Sequence, residues 1–336
     1  MATMKQVAER AGVSTSTVSH VINRTRAVSG EVRERVLATI DAMGYIPNAM
    51  ARGLKNDKTT TIGVSIPDNT NPCLAELLRG IEDAAFEVGY NIMLCNGYED
   101  PQRQAAHLRG LIEKRIDGLV LVAGAARDEL APLLAHQRVP IVLADHEVPD
   151  VDSDFIGLDH EATGYVATRH LVELGHRRIA CVAGPEAEPA GRERLAGYRR
   201  ALEQAGLVPD PALVIHGAPD AAGGHAAAQA LLALAAPPSA LFACNDLMAL
   251  GALCAAQEAG IAVPGQLSVA GGDDLGIAAF SSPRLTSVAQ PLYAMGRQLA
   301  ELLIRRIRGE DGPCRRLRLQ GALVVRHSSA PPAPGH

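Results

Sequence analysis

Residues 4–23, Met-Lys-Gln-Val-Ala-Glu-Arg-Ala-Gly-Val-Ser-Thr-Ser-Thr-Val-Ser-His-Val-Ile-Asn, carry the pattern on which the reading of this chain turns. Val7, Ala8 and Ala11 recur at helical spacing, and Gly12, free to take a positive φ, predicts the end of that first helix. Ser14 is placed to cap a second helix whose inner stripe is Val18, Val21 and Ile22. Thr15, Ser16, Thr17 and His20 are left on or near its outer face, toward the N-terminal end. Short hydrogen-bonding side chains there suit base edges and phosphates, and a helix-turn-helix enters the major groove with that end of its second helix. The same periodicity would fit a solvated amphipathic hairpin. Small residues, glycine and caps, however, all fall at the offsets that the groove-reading motif needs.

A third helix is predicted to start after Ser29, with Glu31 and Glu34 favouring its N-terminal half, and to stop at Gly44. Val32, Val36, Leu37 and Ile40 are expected to face inward. Residues 1–46 thus form an all-α head. Residues 47–55 have room for two helical turns with Asn48 as cap. That is too short to hold alone, and Gly53 costs about 1 kcal/mol relative to alanine. Residues 47–60 are therefore expected to be a hinge, helical only when bound, and a polar linker.

From residue 61 the rhythm becomes strand, helix, strand. Apolar runs at 62–66, 92–94, 119–122, 141–143, 179–182, 241–243 and 267–270 alternate with helical stretches, among them 75–88, 102–113, 162–174, 194–205 and 247–259. Gly89, Gly175, Gly206 and Gly260 sit where C-caps belong. This is an α/β pattern of parallel sheets with helices on both faces. It holds too many units for one ordinary sheet, so residues 61–327 are expected to form two lobes. A ligand cleft would lie between them at the carboxyl ends of the strands. The proline-rich end, residues 328–336, is expected to be disordered.

The net charge of −5 over 336 residues argues by itself against a nucleic-acid partner, but the average conceals a division. Residues 1–60 hold nine Lys/Arg against five Asp/Glu, and the remainder 23 against 32. A basic head on an acidic body confines any electrostatic footprint to one end. With no 18-residue apolar run and no apolar signal segment, a soluble, cytoplasmic protein without membrane partners is expected. The six cysteines form no C-x-x-C pair and read as reduced, mostly buried thiols. Neither G-x-G-x-x-G after a strand nor G-x-x-x-x-G-K-[ST] nor G-x-S-x-G occurs, and His160-Glu161 lacks the second histidine of a zincin. Asp273-Asp274 makes acid–base chemistry conceivable. Neighbours on a strand point opposite ways, though, so one should line the cleft while the other pairs elsewhere. No catalytic residue, metal or cofactor is expected.

The segment Val13-Ser-Thr-Ser-Thr-Val-Ser-His-Val-Ile-Asn23, followed by Ala51-Arg-Gly-Leu-Lys55, resembles the LacI/GalR family of bacterial transcription regulators. Its ribose-responsive members are nearest in likeness. Supporting pieces are Met1-Ala-Thr-Met-Lys5, Asn69-Thr-Asn-Pro72, Leu94-Cys-Asn96, His176-Arg-Arg-Ile-Ala-Cys181 and Leu195-Ala-Gly-Tyr198. The resemblance covers residues 2–327 and implies, for the body, the fold of periplasmic sugar-binding proteins. It further implies a homodimer on pseudo-palindromic double-stranded operator DNA, with Thr15, Ser16, Thr17, His20 and Asn23 at each half-site. Arg24 and Arg26, and also Arg10 and Arg33, become candidates for phosphate contact. Ala51, Leu54 and Lys55 would enter the minor groove, with Leu54 as the wedge that opens a central step. Gly53 departs from the usual serine or alanine.

In the body the resemblance assigns effector binding to Asn71, Cys73, Asp145, Arg192, Arg194, Asn245, Asp273 and Gln290. Carboxylate, amide and guanidinium groups suit a polyol, whose hydroxyls both donate and accept. Several of these residues could equally be helix caps or turn formers, Asn245 and Asp273 in particular. Cys73 and Leu74 stand where a stacking aromatic is usual, Gly272 precedes Asp273 where another is common, and His146 follows Asp145 in place of arginine. The chain has no tryptophan and is 3% aromatic, with Phe280 and Tyr98 as the remaining stacking candidates for a purine. The expectation is a repressor controlled by a small effector, a sugar such as ribose acting as inducer. The alternatives are a purine-type corepressor system, or a binding or transport receptor without operator function.

Overall fold

The computed structural model describes residues 2–23, 25–46, 58–97, 100–122, 127–135 and 137–333. The expected hinge, with Ala51, Gly53, Leu54 and Lys55, lies outside the described residues, as do Arg24 and Tyr98. The chain divides into two compact units, Met1–Thr59 and Thr60–His336.

Among the described residues the first unit holds three helices: α1 (Met4–Ala11), α2 (Thr15–Asn23) and α3 (Gly30–Met43). Thr3 and Gln6 close a reciprocal capping box at the start of α1, and Gly12 ends it at φ 66°. Val7, Ala8, Ala11, Val18, Val21, Val36 and Tyr45 form the core, with Ile22, Val32 and Ile40 packed on it. Leu37 does not face inward as expected. It is 41% exposed, because the stripe Val32, Val36, Ile40 already covers the inner face and Leu37 lies about 100° round from it. Ser29 occupies the cap position of α3 without a side-chain cap bond.

In the second unit β1 (Thr61–Ile66), β2 (Asn91–Asn96), β3 (Gly118–Val122), β4 (Ile141–Ala144), β5 (Asp154–Leu158) and β11 (Arg316–Leu319) form one sheet in the order β11-β5-β4-β3-β1-β2, parallel throughout. The other sheet runs β12-β10-β9-β8-β6-β7, from β6 (Ile179–Ala183), β7 (Val214–His216), β8 (Ala240–Ala243), β9 (Ser268–Gly271), β10 (Thr286–Ala289) and β12 (Ala322–Val324). Only β12 is antiparallel to its neighbour. Helices α4 (Pro72–Glu87), α5 (Pro101–Glu113), α6 (Arg127–Leu134), α7 (His160–Glu173), α8 (Pro189–Gln204), α9 (Ala221–Leu232), α10 (Asp246–Glu258) and α11 (Leu292–Ile307) cover them. The backbone passes between lobes three times: after β5, after β10, and between β11 and β12. Gly89, Gly175, Gly206 and Gly260 take positive φ, as their C-cap positions require.

Residues 328–330 correct the expected tail. Ser328 is 0% exposed; its hydroxyl donates to the Val269 carbonyl at 2.6 Å and accepts from Thr286 N–H at 2.8 Å. Ala330 N–H donates to Ser268 Oγ at 3.0 Å. The body thus continues beyond residue 327, since these backbone groups find partners on β9 and β10 that outweigh the local proline content. The cysteines are free thiols, but only Cys181 and Cys244 are fully buried and Cys254 is exposed. Among the described residues no helix is long and apolar enough to cross a membrane.

Candidate functional site

On α2, Thr15 and Ser16 are exposed, while Thr17 and His20 are half-buried. Ser14 Oγ accepts from Thr17 N–H at 3.1 Å and so caps the helix. It also lies 2.7 Å from Ser16 Oγ and 2.8 Å from Thr17 Oγ1, which ties both hydroxyls to the first turn. His20 Nδ1 stands 2.9 Å from Thr25 Oγ1, a partner not anticipated from the sequence. Asn23 donates to the Ser19 carbonyl at 2.9 Å, spending its amide on its own helix. Arg10, Arg26 and Arg33 are exposed.

The body brings one group of predicted residues together at the carboxyl ends of its strands, where an α/β sheet presents its ligand crevice. Asp145 directly follows β4 in a left-handed conformation, φ 66°, which aims its carboxylate at the first residue of α7. Its Oδ1 accepts from Leu158 N–H at 3.4 Å and lies 2.9 Å from His160 Nε2; Oδ2 is 3.3 Å from His146 Nδ1. Burial alone would push this carboxyl up, but the adjacent imidazoles and the Leu158 N–H outweigh it and hold the group well below the usual carboxylate range. On its other side His160 Nδ1 is 3.3 Å from Arg194 Nε. Arg194, in α8, donates to the Cys244 carbonyl and pairs with Asp273 at 3.0 Å.

The chain of contacts reaches across the cleft. Burial and the neighbouring Asp273 carboxylate push the Cys73 thiol well above its ordinary value, so a protonated thiol on α4 of one lobe lies against a carboxylate of the other. Behind Asp273, Asp246 N–H donates to its Oδ2 at 3.1 Å, and Asp246 accepts from Ser287 Oγ and from Leu275 N–H. Burial and the nearby Asp273 charge raise the Asp246 carboxyl to about 6. Asp273 turns inward while Asp274 pairs with Arg326 at 2.6 Å, the division expected of that dipeptide.

Other candidates are already engaged. Asn71 caps α4, accepting from Cys73 N–H at 2.9 Å. Asn245 caps α10, accepting from Met248 N–H at 2.7 Å and donating to the Pro219 carbonyl. Gln290 donates to Thr163 Oγ1 at 2.8 Å and to the Gly272 carbonyl at 3.1 Å. Arg192 is exposed and donates to the carbonyls of Glu186 and Ala187 in the loop before α8, apart from the chain of contacts that Arg194 joins. His160, Asp246, Ser287 and Thr163 belong to the site and were not anticipated. His160 follows a strand that escaped the apolar-run criterion, which hid its place at a strand end.

Among the described residues two clusters place three metal-ligand atoms within 4.8 Å of one another: Asp145, His146, His160, and His225, Cys254, Glu258. The second lies outside that chain of contacts, on α9 and α10, where His225 Nε2 pairs with Glu258 at 2.8 Å.

A family model for bacterial regulatory proteins of the lacI family matches residues 3–48, and one for a periplasmic binding protein-like domain matches residues 168–329. The chain is 41% identical to the ribose operon repressor of Escherichia coli (strain K12), over 98% of this chain and 100% of that protein. The HTH-type transcriptional repressor PurR of Photobacterium profundum is 37% identical over 98% of both. The chain belongs to the lacI family. Among solved structures, the lac repressor dimer bound to operator and the anti-inducer ONPF superposes with a TM-score of 0.89 at 28% identity, over 98% of this chain and 99% of that one. The lacI-family assignment makes the chain a transcriptional repressor with an effector-binding body and not an enzyme.

Proposed function

We propose that this lacI-family repressor acts as a homodimer in the cytoplasm, on pseudo-palindromic operator DNA, and that an uncharged, hydroxyl-rich effector between the lobes sets its operator affinity. Half-site recognition falls to Thr15, Ser16, Thr17 and His20, with Leu54 as minor-groove wedge. The observation that carries the effector reading is the chain of contacts Asp145–His160–Arg194–Asp273–Cys73. It sets two carboxylates and only one guanidinium at the strand ends. Such a balance repels an anion and suits a polyol, each hydroxyl of which meets both donors and acceptors. The likeness to the ribose operon repressor favours a pentose acting as inducer. The likeness to PurR supports a second reading, in which a purine acts as corepressor.

Two measurements on the full chain test this. Thermal shifts are recorded with ribose, other pentoses, hexoses, polyols, hypoxanthine and guanine. A true effector at 100 times its Kd stabilises by about 2.7 kcal/mol. Band shifts on a pseudo-palindromic site selected from random DNA are then repeated with the stabilising compound. Release by a sugar supports the main reading. Tightening by a purine replaces it with the corepressor reading. Failure to bind half-site-spaced DNA in a salt-sensitive manner refutes the operator assignment.

A further inference from the structure

We propose that His160 is a positioning residue of the effector site, a neutral imidazole that accepts a hydrogen bond from Arg194 and donates one to Asp145, holding ligand-facing groups of both lobes as one chain. This rests on reading the cleft as the effector site. A guanidinium has donors and no acceptor. With Arg194 Nε 3.3 Å from His160 Nδ1, that nitrogen has to supply the lone pair. The ring proton therefore resides on Nε2, 2.9 Å from Asp145 Oδ1, and is donated there. An imidazolium would instead point a second N–H, and a like charge, at the guanidinium.

The surroundings leave the ring little choice. His160 is 3% exposed and opens α7, which Asp159 caps through Ala162 N–H at 2.9 Å. A Cβ at Gly164 would collide with the Arg194 carbonyl, and one at Gly197 with the Glu161 carbonyl. The two helices are thus in backbone contact, and His160 keeps its place relative to Arg194. The charged and titratable groups facing this unit are His146 on the far oxygen of Asp145, and Asp273, Cys73 and Cys244 around Arg194. Asp145 belongs to the first sheet, Arg194 and Asp273 pack with the second, and His160 stands on the crossover between them. A ligand hydroxyl that engages Asp145 competes with Nε2–H, and the loss is felt at Nδ1 and hence at Arg194. The tautomer also bears on the Asp145–His146–His160 cluster. A cation there would need the Nε2 lone pair, which forces the proton onto Nδ1 against the Arg194 N–H, so the relay and a metal ion exclude each other.

The role requires one donor and one acceptor at opposite ends of a planar group. Glutamine meets that requirement and leucine does not. In histidine-labelled full-length protein, nitrogen-15 NMR is expected to show His160, assigned by its loss in His160→Gln, as the Nε2–H tautomer at pH 7.5. An Nδ1–H tautomer or an imidazolium overturns the proposal. Operator affinity is then measured without and with D-ribose, and in parallel with hypoxanthine. The ratio, of order 5–150-fold for such coupling, is expected to fall to within about twofold in His160→Leu and to recover in His160→Gln. A leucine variant that folds and keeps the full ratio contradicts the relay. If neither compound alters operator binding by the wild-type chain, the effector reading fails, while the wild-type tautomer still decides the role of His160.

Discussion

Arg194 and Asp273 are 7% and 6% exposed, and each is the other's principal charge partner at 3.0 Å. Their first role is consequently to satisfy each other, whatever they present to a ligand. Removing one member of such a pair strands the other charge, at a cost of about 3–5 kcal/mol. Asp273→Asn and Arg194→Met are each expected to destabilise the chain by this order, and the double variant by clearly less than the sum. Urea unfolding of the four proteins measures it; strict additivity would show that the pair is not coupled. A loss of effector response in Asp273→Asn must for the same reason be read beside its stability. Residue types were legible in the sequence at this scale: carboxylates after strands, and a guanidinium and a thiol near them. Their partners were not, because the choice between capping and ligand contact depends on neighbours far along the chain. Asn245 and Asn71 resolved as caps of α10 and α4, and Arg192 as a tie for the loop before α8.

Elements with apolar runs or amphipathic periods were legible from sequence, whereas β5 and β10, whose buried polar residues break the run, were not. β10 reads Thr-Ser-Val-Ala, yet Thr286 and Ser287 are 0% exposed because Asp246, Ser328 and Ser329 satisfy them. β5 opens on Asp154, which is buried against Arg306 at 2.6 Å. Neither strand shows the hydrophobic run that marks a parallel strand. Helix pairing was equally hidden, since small residues read as mere propensity costs until their contacts are known. At the α7–α8 crossing, Gly164→Ala is expected to drive the helices apart and cost about 1–3 kcal/mol. Gly110→Ala, on α5 where nothing stands within 4 Å of a new Cβ, is expected to be neutral or stabilising through helix propensity. Comparing the two in thermal melts separates backbone approach from propensity. Equal shifts would show that the crossing does not depend on glycine.

Across the whole body, the segment after β12 is fastened to β9 and β10, and also to the half-buried His170 of α7 and the buried His176 just after it, which gives its docking a pH dependence of definite sign. His176 Nε2 donates to the Ala330 carbonyl at 2.9 Å, and its Nδ1 lies 2.9 Å from Ser239 Oγ. His170 Nε2 is 2.9 Å from Ser329 Oγ. Burial lowers both histidines from 6.5, opposed at His176 by the Ala330 carbonyl and at His170 by Glu173. Below pH 6.5 the unfolded chain therefore binds protons that the folded chain refuses. Stability from these groups is complete above about pH 6.5 and declines as pH falls through that value toward their folded pKa values. Asp246, raised to about 6, acts oppositely: it takes up a proton in the folded state first and gains stability as pH drops through 6. Asp145 and Asp154, both held below 3.8, contribute a constant amount in this range. The difference between wild type and His176→Gln cancels Asp246 and isolates the latch. The fall in Tm between pH 7.5 and 5.5 is expected to be smaller in the variant. In the wild type, amide exchange at residues 328–330 should quicken at pH 5.5 beyond its intrinsic pH dependence, ahead of exchange in β8. Equal Tm changes in the two proteins would show that His176 does not couple docking of this segment to pH.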